Sequence, residues 1–209
     1  MGGTVTAIAA SGTYVTSAVL TDGGRAPNPF SWPREKMVAV RKREAEEAGG
    51  VLGVRAVIFF DLLNLIDETN YETARTRLRD LLGEVKPAEV YTLHPDLDRH
   101  GTHRLAGRLT LESVSSANLS TSPPVWAYET WGLFRDPDRL EMIDERIGTK
   151  LRAIERHRSQ TASVPYSDGV VGLNRWRALF ADPLQTEPAG AYAEAFLLLL
   201  GGSPVEIGG

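Results

Sequence analysis

The sequence predicts an α/β protein built on a mainly parallel sheet with helices on both faces. Three observations carry that reading. Apolar, β-branched runs of strand length alternate with longer segments of helical period, which is the pattern of a parallel sheet. Residues 54–60 form a near-continuous apolar run, which suits a parallel strand covered on both sides. With 42% hydrophobic and 24% charged residues, the 209-residue chain has an ordinary globular composition and enough length to bury a core without staples. Domains commonly span roughly 100–200 residues, so one domain over residues 1–209 is the expectation.

The elements follow in order. Val5, Ile8 and Ala9 recur at helical spacing before Gly12, so the chain opens inside a helix. Residues 13–20 read as a buried strand, and Thr21-Asp22-Gly23-Gly24 marks a turn. A proline-containing loop covers 25–33, and a helix runs from Arg34 to Leu52 with Gly53 as its stop. The apolar run 54–60 is the second strand, 61–71 a loop, and 72–85 a helix stopped near Pro87. A third strand covers 89–93, a polar loop 94–101, and a helix 102–117 opened by Thr102 as its cap. Residues 125–130 read as another strand, 139–158 as one charged amphipathic helix and 168–181 as a shorter helix. The run 195–200 is either a core strand or a buried piece of helix, far short of the about 20 apolar residues of a membrane span.

Several classes of function are excluded or disfavoured by composition. The net charge is −4, and the one basic run, Arg41-Lys42-Arg43, is followed at once by Glu44, Glu46 and Glu47. That is a solvated helix face, so no nucleic-acid partner is expected. The chain has no cysteine, which removes disulfides, thiolate nucleophiles and thiolate zinc sites. The N-terminus shows no basic region followed by an apolar stretch, so a cytoplasmic protein without a membrane partner is expected. No Gly-rich phosphate loop follows a strand, which weakens a nucleotide-binding reading.

In open α/β sheets, sites form in loops beyond the carboxyl ends of the strands. The loop after the third predicted strand holds His94 and His100, with His103 just beyond and Asp96 and Asp98 between them. Imidazole is the commonest metal ligand and also shuttles protons near neutral pH. His103 would lie in the first helical turn, where the positive end of the dipole disfavours imidazolium and leaves the metal-binding neutral form. Asp98 could accept a proton from one ring nitrogen and so fix a tautomer. Polar loops also carry His and Asp with no role, and an isolated H-x-x-H is a weak pattern. A cluster of histidines directly after a buried strand strengthens it.

The stretch His94-Pro95-Asp96-Leu97-Asp98-Arg99-His100-Gly101-Thr102-His103-Arg104 resembles the second motif of the PIG-L/LmbE-like family of zinc-dependent N-acetylglucosamine deacetylases and related amidases. Gly101 and Thr102 depart from the commoner Pro-Asp pair. Other pieces are similar in order: Gly2-Gly3-Thr4, then Val19-Leu20-Thr21-Asp22-Gly23, then Arg41-x-x-Glu44 with Leu52-Gly53-Val54. Lys150-x-x-Ala153 with His157-Arg158-Ser159-Gln160, and Tyr192-Ala193-Glu194-Ala195-Phe196, complete the series. The resemblance implies a Rossmann-like three-layer α/β/α fold and metal-dependent removal of an acetyl group from an N-acetylglucosamine-type conjugate. It makes His103 a metal ligand and His100 a catalytic general acid or oxyanion stabiliser. Asp98 becomes the residue that orients His100 or His103, and Arg41 a substrate-binding cation. Without the family, Arg41 reads equally well as a surface helix cation, Asp22 reads as a turn residue, and the late helix with His157 reads as packing.

The family's first motif, approximately Pro-His-Pro-Asp-Asp-Glu, precedes the Gly-Gly-Thr segment and is absent from the sequence. The resemblance assigns to it two further metal ligands and the general base, and places it after the first strand. The expectation is therefore a domain that lacks its first strand, binds Zn2+ weakly or not at all, and is inactive as given, as a shortened form of a longer enzyme. The rival expectation is a non-catalytic binding or regulatory protein on the same fold. The implied partner is a small N-acetylated sugar conjugate; homo-oligomer formation is left open.

Overall fold

A computed structural model describes residues 1–181 and 190–201. Contacts divide the chain into two compact units, Met1–Asn64 with Leu140–Ala195, and Leu65–Arg139 with Phe196–Gly209.

The first unit opens with α1 (Gly2–Ala10), β1 (Thr16–Thr21), α2 (Arg34–Leu52) and β2 (Ala56–Leu62). α2 has the bounds its sequence signals predict. Pro33 precedes it, and Gly53 ends it in the left-handed conformation (φ 81°), donating its N–H to the carbonyls of Gly49 and Gly50. β1 and β2 pair in parallel, from Thr16 opposite Ala56 to Val19 opposite Phe59, with a register shift before Thr21. A helical crossover is what a parallel pair requires. Met37, Ala48, Phe60 and Leu62 are buried in this unit, with Ile143, Ala153 and Ala178 from its later segments.

Those later segments depart from expectation. Residues 139–158 do not form one helix: β5 (Arg139–Met142) is followed by a 3-10 turn at Asp144–Arg146, then α5 (Ile147–Arg156), a break at His157 and α6 (Arg158–Thr161). The reason is tertiary. Ile143, almost fully buried, donates its N–H to Tyr192 O at 2.8 Å, so the start of the segment is captured beside a strand despite its helical composition. α7 (Tyr166–Leu179) follows, and β6 (Ala193–Leu200) resolves the apolar run as a strand. The buried carboxylate of Glu194 faces the start of α1 and accepts from Gly3 N, Thr4 N and Thr4 Oγ1 at 3.1, 2.8 and 2.7 Å. Lys150 Nζ lies 2.6 Å from the same carboxylate and donates to Asn174 Oδ1 at 2.8 Å.

The second unit contains α3 (Glu68–Val85), β3 (Val90–Leu93), α4 (Gly101–Ser116) and β4 (Val125–Tyr128), with the end of β6. α3 starts four residues before the expected Glu72, because Asp67 caps it by accepting from Asn70 N at 3.0 Å. Ala74, Leu78 and Leu82 form its buried stripe at helical spacing. β3 and β4 run parallel, and β4 pairs antiparallel with β6, placing Tyr128 opposite the fully buried Phe196. Burial of such a phenylalanine stabilises by about 1.5–3 kcal/mol. Among the described residues the strands form two sheets, β1-β2 and β3-β4-β6-β5, where one sheet was expected. The fold class holds: mixed α/β with parallel strands joined by helices.

Candidate active site

The histidine loop lies in the second unit, between the carboxyl end of β3 and the start of α4. Two glycines set its position. A Cβ on Gly107 would stand 2.3 Å from Leu93 O, so only glycine lets α4 approach the end of β3 this closely. A Cβ on Gly132 would stand 2.2 Å from Leu97 O, so the loop after β4 abuts the histidine loop backbone to backbone.

Asp98 organises the segment. Its side chain is almost fully buried. Oδ1 accepts the N–H of His100 at 2.8 Å, and Oδ2 lies 3.2 Å from Nδ1 of His103. The expected cap, Thr102, does not serve. α4 already begins at Gly101 with His100 in the capping position, and the neighbouring N–H is satisfied by Asp98 instead. Arg104 closes the loop from the helix side, its Nη1 donating to Asp98 O and Arg99 O at 2.9 and 3.2 Å.

Burial pushes the His103 imidazole below its ordinary pKa, more than the Asp98 carboxylate raises it, and His100 lowers it further. The ring is therefore neutral near pH 7. With a carboxylate facing Nδ1, that nitrogen carries the proton and Nε2 keeps its lone pair. The rings of His100 and His103 lie 4.6 Å apart. His94 plays another part. Its Nδ1 accepts from Asp96 N and Leu97 N at 3.1 and 3.0 Å, and its ring leans on Phe134, so it staples the loop.

Tyr128, at the carboxyl end of β4, was not singled out by sequence. Burial first, and then the Asp98 carboxylate, push its phenol up to about 12, so it stays neutral beside the loop. The available signal was its place at a strand end in a parallel pair.

Asp98, His100 and His103 thus come together in one unit. Arg41 belongs to the other and has its own surroundings. It is not a freely solvated helix cation: burial lowers its pKa, with Glu44 and then Tyr166 opposing. Its Nη1 donates to Gly23 O at 3.1 Å, where the backbone is left-handed (φ 71°). Glu44, one turn on, is buried and accepts from Ser159 N and Oγ at 2.8 and 2.6 Å. Those bonds join the Arg41-x-x-Glu44 segment to Ser159-Gln160 in this chain. Asp22 is a turn residue, accepting from Gly24 N at 2.9 Å and paired with Arg34.

A catalytic zinc takes three protein ligands plus water. Among the described residues, no group of three or more His, Asp or Glu side chains could hold a metal ion. His103 Nε2 suits one ligand position, with Asp98 as its outer partner, but the described residues do not fit a complete zinc centre.

The sequence pattern of the GlcNAc-PI de-N-acetylase family, PIG-L, matches residues 1–114. The chain belongs to the PIG-L family. The matched span runs from α1 almost to the end of α4 and includes both Arg41 and the histidine loop. This PIG-L protein is 28% identical over 174 residues to a probable N-acetyl-α-D-glucosaminyl L-malate deacetylase of Bacillus cereus, covering 78% of each chain. Its fold is similar to that of N,N'-diacetylchitobiose deacetylase from Pyrococcus horikoshii, with a TM-score of 0.81 at 22% identity over 95% of this chain and 78% of that one. It is also similar to 4-carboxy-2-hydroxymuconate hydratase from Pseudomonas putida, with a TM-score of 0.79 at 20% identity over 99% and 92% of the two chains. A hydratase on the same fold means that architecture alone does not name the reaction of a PIG-L member. No helix among the described residues is long and apolar enough to cross a membrane.

Proposed function

We propose that this PIG-L member carries half of the active site of an N-deacetylase for an N-acetylglucosamine-type conjugate, and that the 209-residue chain as given is inactive. The observation that supports the first part is the arrangement around Asp98: one buried carboxylate sets the His103 ring and the start of α4 at His100. In this reading Asp98 is a positioning residue and His103 offers Nε2 as the single metal ligand. His100 donates to the tetrahedral oxyanion or protonates the leaving amine, either of which lowers the barrier to amide cleavage. Arg41, held against Gly23 O, binds the substrate. The products are acetate and a free amine. No activation of the attacking water is derived from the described residues.

Inactivity is supported by the lack of a three-donor group among the described residues. The same observation favours a second reading, a non-catalytic binding protein on this fold. Titration of the chain with Zn2+ and assay of acetate release from N-acetylglucosaminyl conjugates test the proposal. Weak, substoichiometric zinc binding without acetate release is expected; tight stoichiometric zinc with turnover would overturn the inactivity. In the same titration, His103→Ala is expected to remove the weak zinc binding; zinc binding unchanged in that variant would remove His103 as the ligand.

A further inference from the structure

The helix α7 turns one side inward through the buried Asn174 and Ala178. At about 100° per residue, the opposite side carries Gly169, Gly172, Trp176 and Leu179, with Phe180 at the helix end. All five are exposed, and the three large ones are more than half exposed: Trp176 by 57%, Leu179 by 56% and Phe180 by 58%. The rings of Trp176 and Phe180 rest on each other with centroids 4.2 Å apart, so they form one aromatic knob. Scattered apolar side chains on a surface need no explanation, but a contiguous patch of this kind marks a contact site.

The other half of the same face has the inverse shape. Nothing among the described residues lies within 4 Å of the point where a Cβ on Gly169 or Gly172 would stand. Glycine is disfavoured in a helix interior, yet two of them share this face with no crowding from their own chain. Their bare backbone makes a notch beside the knob. Asp168 and Arg175, both exposed, run along one flank of the stripe toward opposite ends of the helix.

A knob and a notch on one face, and an acid and a base on one flank, are the requirements of a two-fold contact, in which each surface must fit itself. An antiparallel pair of helices crossing at Gly172 brings glycine against glycine at the point of closest approach. It sets Trp176 of one copy over Gly169 of the other. It also sets Arg175 of one copy beside Asp168 of the other, because both lie within a residue of mirror positions about Gly172. The helix dipoles then oppose, and both charge pairs are attractive.

We infer that the outward face of α7 is a self-association surface, pairing antiparallel with the same face of a second copy of this chain across a two-fold axis near Gly172. An aromatic side chain buries about 150–250 Å² when fully covered, so four half-exposed rings supply roughly 400 Å². Stable interfaces bury about 1,000 Å² or more, which makes this a weak dimer with a Kd on the order of 10–100 μM.

Sedimentation velocity of the 209-residue chain across about 1–300 μM tests the inference. A concentration-dependent shift from monomer to dimer is expected. Trp176→Ser, at an exposed position, is expected to weaken the dimer about tenfold or more while helical circular dichroism is unchanged. Asp168→Arg and Arg175→Asp should each weaken it, and the two together should restore it, since the pair is then reversed on both copies. The chain has no cysteine, so Gly172→Cys introduces a single thiol. Under mild oxidation it is expected to give a disulfide-linked dimer, whereas Gly50→Cys, at an uncrowded exposed position on α2, should not. A chain that stays monomeric throughout overturns the inference, as does a dimer unchanged in Trp176→Ser or not restored by the double charge reversal. A monomer that floats with phosphatidylcholine vesicles, and loses that binding in Trp176→Ser, would give the face to lipid and overturn it as well.

Discussion

Asp98 Oδ2 lies 3.2 Å from His103 Nδ1, and the other oxygen of that carboxylate takes the N–H of His100 at 2.8 Å. One buried acid therefore sets both the tautomer of an imidazole and the first turn of a helix. Asp98→Asn removes the charge while keeping the shape. The His103 imidazole, already below its ordinary pKa, is expected to fall further, because the Asp98 carboxylate is the main influence raising it. A proton NMR titration of the His103 ring reads this directly. An imperfectly replaced buried acceptor costs about 1–3 kcal/mol, so a drop in Tm of several degrees should accompany it.

Three histidines share one direction of shift. Burial lowers His94, His103 and His157 below the ordinary imidazole value, with neighbouring carboxylates only partly opposing. The unfolded chain then binds more protons than the folded one as pH falls through about 6.5, so stability rises with pH across that window and is lost on acidification. Urea midpoints are expected to be lower at pH 5.5 than at pH 7.5. In His157→Gln the difference between the two midpoints should shrink; an unchanged difference would remove His157 from the account.

Glu194 acts in the same direction at lower pH. Burial alone would raise its pKa, but the α-amino group at residue 1, Lys150 and Thr4 together hold it well below the usual carboxylate range. The stabilisation it brings is complete above the unfolded value of about 4.3 and fades as pH drops toward the folded value. At neutral pH, Glu194→Ala leaves the Lys150 ammonium buried without its carboxylate and strips the acceptor from Gly3 N and Thr4 N. Breaking one side of a buried ion pair costs about 3–5 kcal/mol. A fall in Tm of roughly 6–20 °C, at about 2–4 °C per kcal/mol for a chain of this size, is the expected reading.

Gly107 is required by contact and not by backbone conformation. In Gly107→Ala, the methyl group would meet Leu93 O at 2.3 Å, and that atom belongs to backbone that cannot rotate away. Overpacking of this kind costs about 1–3 kcal/mol, against the gain of up to about 1 kcal/mol that alanine brings to a helix interior. Net destabilisation in denaturant unfolding is expected. Gly83, also helical but with open space at its Cβ position, should be stabilised by the same change.

Much of this protein could be read along the chain. α2 ends where Gly53 signals it, strands and helices alternate as the apolar runs foretell, and the segment from His94 to Arg104 names its family before any coordinates. These features are local: a cap, a period or a motif is written in adjacent residues. The tertiary structure decided what depends on distant partners. Residues 139–142 became β5 because Ile143 is buried and bonded to Tyr192, which no helical period reveals. Glu44 is tied to Ser159, 115 residues away, and Tyr128 is placed beside Asp98 by the parallel pairing of β3 and β4. Asp98 itself was legible as a residue with a role, but its choice of His103 over His100 as ring partner was not. That choice depends on the turn that aims its two oxygens, and the turn is set by Gly107 and Gly132 pressing other backbone against the loop.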